Sequence, residues 1–448
     1  MAQSLVASPR RERRGVVTVS ESEKLKRQRL CIAVLLFVTV IINYLDRSNL
    51  SIVADSLSRE LQLTPRSLGL ALSAFGWTYA LFQIPMSRLV DKILPRYLMA
   101  AVLGLWSIGT FLNGFVQHFA ALILIRMSVG ALEAPSYPIN NRVATTWFPE
   151  SERASVIGFY TSGQFVGLAF LTPALMWLQI RFGWRAVFHF TGAIGLVWSV
   201  VWWLIYRNPP QMQMVDDAEL ELIHKGGDLP KSVPLAHSLS EASFWRDLRA
   251  VLGRRQLWGI YIGQFGLNST LWFFLTWFPS YLTQYRHVQF ASAGMLASIP
   301  FIAAFFGVIL GGIISDWLLR FGYTLSLSRK LPIVTGLILA SCIGFATRFS
   351  DIHVIIACMA ISFFGCGFAS ITWSLVSVLA PPGLIGLTSG VFNFVSNCSA
   401  IAVPIVVGLL IRGENFRRPL LFISSMALMA ILAYIFLVGE IQEPSWET

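Results

Sequence analysis

Charge is the scarcest ingredient of this chain. Asp, Glu, Lys and Arg make up 13% of its 448 residues, with 23 acids against 34 bases. Soluble domains carry about a quarter charged residues, so a composition this poor excludes an ordinary water-facing surface. Cysteine is scarce as well. Cys31, Cys342, Cys358, Cys366 and Cys398 lie in or beside apolar runs without metal-ligand spacing, which excludes a disulfide framework and leaves packing as their role. His118, His189 and His353 sit near the ends of apolar runs, again without ligand spacing, so no metal site is expected. The sequence has no glycine-rich phosphate loop, no nucleophile triad and no zinc motif. No enzyme and no cofactor is expected.

What the chain has instead is apolar length. It is 55% apolar with mean hydropathy +0.65, and the apolar residues come in stretches of the length that crosses a bilayer as a helix. In lipid only helices and closed barrels satisfy the backbone, and unbroken runs exclude the alternating pattern of a barrel. The expected fold is therefore an all-α membrane protein whose partner is the lipid bilayer. Twelve spans are read at 31–53, 68–88, 97–116, 119–141, 154–177, 185–206, 257–282, 290–315, 331–348, 353–377, 386–411 and 419–438.

The net charge of +11 could point to nucleic acid, but the basic residues fall between the apolar runs. With both termini on one side, the segments on that side hold 23 of the 34 Lys and Arg and the opposite loops hold nine. The positive-inside rule then places the termini in the cytoplasm, and no nucleic-acid partner is expected. The divisions are a basic cytoplasmic tail (1–30), a first six-helix half (31–206), a cytoplasmic linker with short amphipathic pieces (207–256), a second half (257–438) and a short tail (439–448).

The halves resemble each other. One shift lays Pro149 on Pro381 and Gly158 on Gly390, and Asp91 after span two matches Asp316 after span eight. Duplicated halves with a site between them near mid-membrane are a transporter architecture.

Four charges lie deep in the spans. Asp46 and Arg47 are in span one, Arg126 and Glu133 in span four. Each costs on the order of 2.5–3.5 kcal/mol at a helix centre, so their presence points to use, the competing reading being a structural ion pair in which they neutralise each other. Neighbours on a helix leave it about 100° apart, so Asp46 and Arg47 need not pair with each other. Tyr44 and Arg47, at i and i+3, share a face. A guanidinium offers a two-pronged fork to a planar anion, which makes Arg47 the expected carboxylate clamp. Arg126 and Glu133 are two turns apart and must each find a partner elsewhere, with Gly130 leaving room between them. Glu133 precedes Ala134-Pro135, where the helix should be distorted. Burial favours a neutral acid and a nearby guanidinium favours a carboxylate, so an acid held between the two can change protonation as a cavity opens. The proton-coupling set read here is Asp46, Glu133 and Arg126.

The second half has no charge at depth; the overlay puts Gly365 opposite Glu133 and Cys358 opposite Arg126. Coupling is therefore expected in the first half. Neutral groups of the second half, Gln264, Ser370, Trp373 and Asn393, with Gln164 and Tyr79 of the first, are expected to hold a hydroxylated ligand. The competing use of such groups is interhelical hydrogen bonding.

Gly312-Ile313-Ile314-Ser315-Asp316, with Arg320 and Gly322, resembles the loop signature of the major facilitator superfamily. In the first half Ser87 and Leu94 stand at the glycine positions, while Asp91, Lys92 and Arg96 remain. Four further stretches are similar to the anion–cation symporter branch: 44–50 (Tyr44 to Leu50), Glu133-Ala134-Pro135-Ser136-Tyr137-Pro138, 159–165 and 368–374. That resemblance implies import of a sugar-acid anion, D-galactonate first and glucarate or hexuronate as alternatives, by symport with protons. It also implies a multi-pass protein of a bacterial inner membrane, working as a monomer. A drug exporter, or a membrane enzyme or sensor, is the rival reading; Arg47 argues against the first, and the polar segment 207–256 offers no catalytic or signalling unit for the second.

Overall fold

The computed structural model describes residues 19–148, 150–208, 241–381, 384–413 and 415–441. Pro149, most of the linker (209–240), the side chain of Asp91 and the last seven residues lie outside the described residues.

The first half contains α1 (Val19–Glu60), α2 (Pro65–Lys92), α3 (Pro95–Leu112), α4 (Phe119–Glu133), α5 (Ser136–Trp147), α6 (Glu150–Phe182) and α7 (Trp184–Ile205). After α8 (Glu241–Leu252) in the linker, the second half runs through α9 (Arg255–Thr276), α10 (Phe290–Arg320), α11 (Leu325–Ser341), α12 (Ile352–Phe368), α13 (Trp373–Leu379), α14 (Ile385–Leu410) and α15 (Arg417–Leu432). Pairing α4 with α5 and α12 with α13 gives the twelve expected crossings. The helices outrun the expected spans at several ends: α1 begins at Val19, twelve residues before the first apolar run.

Among the described residues ten crossings are long and apolar enough to span a membrane. The other two are α2 and α9, and α9 shows why. Fifteen of the twenty residues from Leu257 to Thr276 are buried, most of them against other helices. A helix surrounded by protein can carry polar groups provided they are satisfied. Asn268 Nδ2 donates to the Ser396 carbonyl at 2.9 Å and to Ser399 Oγ at 3.0 Å, both on α14.

The helix break expected at Ala134-Pro135 is present. Proline cannot donate the next helical hydrogen bond, so α4 ends at Glu133 and α5 restarts at Ser136. Span ten also breaks, through a 3₁₀ turn at Ala369–Thr372. Crossings four and ten, related by the repeat, are thus both interrupted, and both interruptions border the interior.

Two contacts join the halves along their length, α2 with α14 and α6 with α10. At the face opposite the termini these contacts are tight. A methyl group at Gly69 would lie 2.5 Å from the Pro404 carbonyl oxygen, and one at Gly408 would lie 2.5 Å from that of Pro65. On the same face Gln284 Nε2 donates to Asp55 Oδ1 at 2.9 Å, tying α1 to the end of span seven. At the face bearing the termini the repeat-related Gly158 and Gly390 have nothing within 4 Å. The halves are closed against each other on the face opposite the termini.

Within the first half, α4 packs on α2 through Gly130. A methyl there would sit 2.2 Å from the Phe75 carbonyl oxygen and 2.6 Å from Thr78 Oγ1, and Thr78 donates to the Met127 carbonyl at 2.5 Å. The space expected beside Gly130 is therefore filled by the backbone of α2. Gly130→Ala is expected to destabilise the protein by about 1–3 kcal/mol, because rigid backbone cannot yield to the extra carbon. Thermal melting in detergent checks it, and a wild-type midpoint would refute it.

Candidate functional site

The four deep charges converge in the first half, on α1 and α4, with all four side chains buried. Arg47 and Glu133 form an ion pair. Nε donates to Glu133 Oε1 at 2.7 Å, and Nη2 lies 2.7 Å from the same oxygen. Asn43 Nδ2, one turn earlier on α1, reaches that oxygen at 3.2 Å and donates to Ser136 Oγ at 2.7 Å. Two hydrogen-bond donors, with Arg47 Nη2 beside them in ion-pair contact, therefore crowd one carboxylate oxygen. The other, Oε2, has no hydrogen-bond partner among the described residues.

Aromatic rings enclose the guanidinium. Its carbon lies 4.7 Å from the Tyr79 ring centroid, 4.8 Å from Tyr44 and 5.3 Å from Phe75. The i, i+3 spacing did put Tyr44 beside Arg47, as expected. Rings attract a cation by their negative faces, so the cage holds Arg47 in addition to its ion pair.

Asp46 points elsewhere, as 100° of helix rotation requires. Its Oδ2 accepts from Trp106 Nε1 on α3 at 3.0 Å, and its Oδ1 lies 3.4 Å from Asn49 Nδ2. Asn49 in turn donates to Thr191 on α7 at 2.7 Å. Arg126 Nη1 donates to the Asp46 backbone carbonyl at 3.3 Å, and among the described residues it forms no ion pair. The two acids thus occupy different surroundings, Glu133 against a guanidinium and Asp46 against an indole. Trp106→Phe keeps the ring and removes the donor, which leaves a buried carboxylate oxygen unsatisfied. Its expected cost is about 1–3 kcal/mol of stability, measurable as a lowered melting midpoint; an unchanged midpoint would show that Trp106 does not hold Asp46.

In the second half, Gln264 accepts from Thr372 Oγ1 at 2.7 Å. Asn393 donates to Gln83 on α2 at 2.8 Å and takes a bond from Asn397 at 3.1 Å. Trp373 is 49% exposed, although it lies within a crossing, and packs edge-on against Phe392 with centroids 4.7 Å apart. Ser370 lies in the 3₁₀ break of span ten, half-buried. Gln164 on α6 is half-buried too. Tyr79 joins the Arg47 cluster directly, whereas Gln264 and Asn393 are engaged with other protein groups.

Asn43, Ser136, Trp106 and Gln83 are participants that sequence reasoning missed. Asn43 had a signal, since it sits four residues before Arg47 and so on the same helix face. Trp106 had none, because its partner is 60 residues away in the chain. Of the two terminal-face acids, Asp316 pairs with Arg329 at 3.2 Å. Arg142 Nη1 donates to the carbonyls of Val90 and Ile93, holding the end of α2 on that face.

The sequence pattern of the Major Facilitator Superfamily matches residues 36–404. The chain belongs to the major facilitator superfamily. It is 46% identical over 417 residues to a D-galactonate transporter of Escherichia coli O6:H1 strain CFT073, covering 93% of this chain and 97% of that one. It is 37% identical to a probable galactarate/D-glucarate transporter of Escherichia coli K12, covering 95% and 98% of the two chains. A crystal structure of a bacterial homologue of the human lysosomal transporter Spinster superposes with TM-score 0.75 at 20% identity over 93% of this chain and 99% of that one, a likeness of fold. Major facilitator proteins with these relatives are transporters and not enzymes, and the chain is a multi-pass membrane protein.

Proposed function

We propose that this transporter imports a sugar-acid anion, D-galactonate, together with protons by alternating access across a bacterial inner membrane, with its termini in the cytoplasm. The observation that carries the reading is the buried Arg47–Glu133 pair within its aromatic cage. Similarity to a D-galactonate transporter supports the substrate.

While Glu133 is ionised it occupies the fork of Arg47, and an entering carboxylate must compete with it. A proton on the unpartnered Oε2 removes that competitor's charge without disturbing the two hydrogen bonds to Oε1. Arg47, still caged by rings, is then free to take the substrate carboxylate. Asp46, held by Trp106, is a second acid that can carry a proton. The substrate's hydroxyls would meet Gln164, Gln264, Ser370 and Asn393 against the wall of Trp373; Gln264 and Asn393 must exchange their present bonds for substrate.

An anion entering a negative cell climbs about 2.3 kcal/mol per 100 mV. One proton cancels its charge, and a second makes entry driven by voltage. The test is uptake of labelled D-galactonate into proteoliposomes under an imposed proton gradient, with galactarate, glucarate and hexuronate as competitors. Gradient-driven accumulation that galactonate competes best is the expected result. Accumulation indifferent to the proton gradient would overturn proton coupling, and stronger competition by another acid would overturn the substrate.

A further inference from the structure

A cavity of about 520 Å³ opens at the closed face, in the second half and away from the four deep charges. Volumes of about 300–1,000 Å³ are typical of small-ligand sites. Three chain segments build it: the π-helical turn Tyr281–Tyr285 that ends span seven, the 3₁₀ end of span nine at Thr347, and the connection that leads into α15.

The floor is aromatic. Phe416 is buried, with its ring centroid 5.0 Å from that of Tyr281 and 4.7 Å from that of Tyr285. The walls are basic, formed by Arg286, Arg412 and Arg417. Arg286 is held in place, because Nε donates to Tyr281 Oη at 2.8 Å and Nη2 to the Ala346 carbonyl at 3.3 Å. Its guanidinium carbon lies 5.3 Å from the Tyr281 ring centroid. Among the described residues no carboxylate forms an ion pair with any of the three arginines. Glu414, in the same connection, lies outside the described residues. Helix α15 starts at Arg417, so its positive end adds to the same field. Thr347 and Asn415 contribute a hydroxyl and an amide to the lining.

The geometry points to a second anion site here, for a hydroxylated oxyanion. Guanidinium groups take the carboxylate or phosphate, the ring floor takes the C–H face of a polyol, and the hydroxyl and amide take its alcohols. Two sources have that chemistry, a free sugar acid and the headgroup of an anionic glycerol lipid. On the proposed orientation, on which only this placement rests, the site faces the compartment from which substrate arrives. Basic groups there raise the local concentration of anions before the face opens.

The test separates the two sources and isolates this site from the central one. Binding of labelled D-galactonate is measured by equilibrium dialysis on full-length Arg47→Gln protein, whose central clamp is disabled, and on the same protein carrying Arg412→Gln and Arg417→Gln. In parallel, retention of phosphatidylglycerol is measured by native mass spectrometry on wild type and on R412Q/R417Q. Both arginines are exposed, and melting curves verify that the variants fold. Residual galactonate binding that becomes about tenfold weaker in the arginine variant assigns the site to the free acid. Retention of phosphatidylglycerol that falls by a similar factor assigns it to the lipid. If neither ligand responds to the two arginines, the site does not exist. The transport reading fails on a different result, absence of uptake by wild type.

Discussion

Glu133→Gln is expected to abolish gradient-driven accumulation while leaving exchange of substrate across the membrane partly intact. Glutamine keeps the shape of a protonated glutamic acid and cannot release a proton, so the variant is fixed in the state in which Arg47 is available. Uncoupled from protons, a singly charged anion is expelled by an inside-negative potential of 100 mV, by about 2.3 kcal/mol. That energy corresponds to a concentration inside roughly fiftyfold below that outside. The measurement is the accumulation ratio in proteoliposomes with imposed proton gradient and potential, beside a counterflow assay. A variant that still accumulates substrate above the external concentration would remove Glu133 from the coupling step. Loss of both accumulation and exchange would show instead that the carboxylate is needed for the conformational change or for binding.

Arg47→Lys is the second large effect, expected to weaken substrate binding roughly 100-fold even though the charge is kept. Arg47 donates Nε to one oxygen of Glu133, with Nη2 in ion-pair contact, while its guanidinium carbon lies over the rings of Tyr44, Tyr79 and Phe75. An ammonium has no plane to stack and no fork, so it can satisfy the ion pair but not the cage and a carboxylate together. Equilibrium binding of labelled D-galactonate to purified protein checks this. Near wild-type affinity in the lysine variant would mean that Arg47 acts as a point charge or not at all on substrate. Arg47→Lys and Glu133→Gln also differ in kind, since the first is read in affinity and the second in coupling. Swapped outcomes would reverse the roles assigned to the two residues.

Sequence alone determined the membrane fold, because a bilayer imposes one-dimensional rules on a chain. Each crossing must be a long apolar helix, each deep charge must have a reason, and basic residues collect on one side. Those rules act locally, so the twelve crossings, the two halves and the break at Ala134-Pro135 were legible. So was the burial of Asp46, Arg47, Arg126 and Glu133, as charges stand out against lipid-facing residues. Spacing along one helix also put Tyr44 beside Arg47 and sent Asp46 a different way.

Only the tertiary structure decided which group meets which. Arg47 is 86 residues from Glu133, and Asp46 is 60 residues from Trp106, separations that helix periodicity does not span. Their meeting depends on how α1, α3 and α4 rotate against one another, and that is set by close contacts such as Gly130 on the backbone of α2. The same packing showed that Asn43 shares the oxygen of Glu133 taken by Arg47, and that Gln264 and Asn393 are already bonded to other groups. It also decided which face of the bundle is closed, since that depends on contacts between halves hundreds of residues apart, such as Gly69 with Pro404. The arginine-lined cavity has the same origin. Its walls come from three turns that sequence distance keeps apart and the fold gathers on one face.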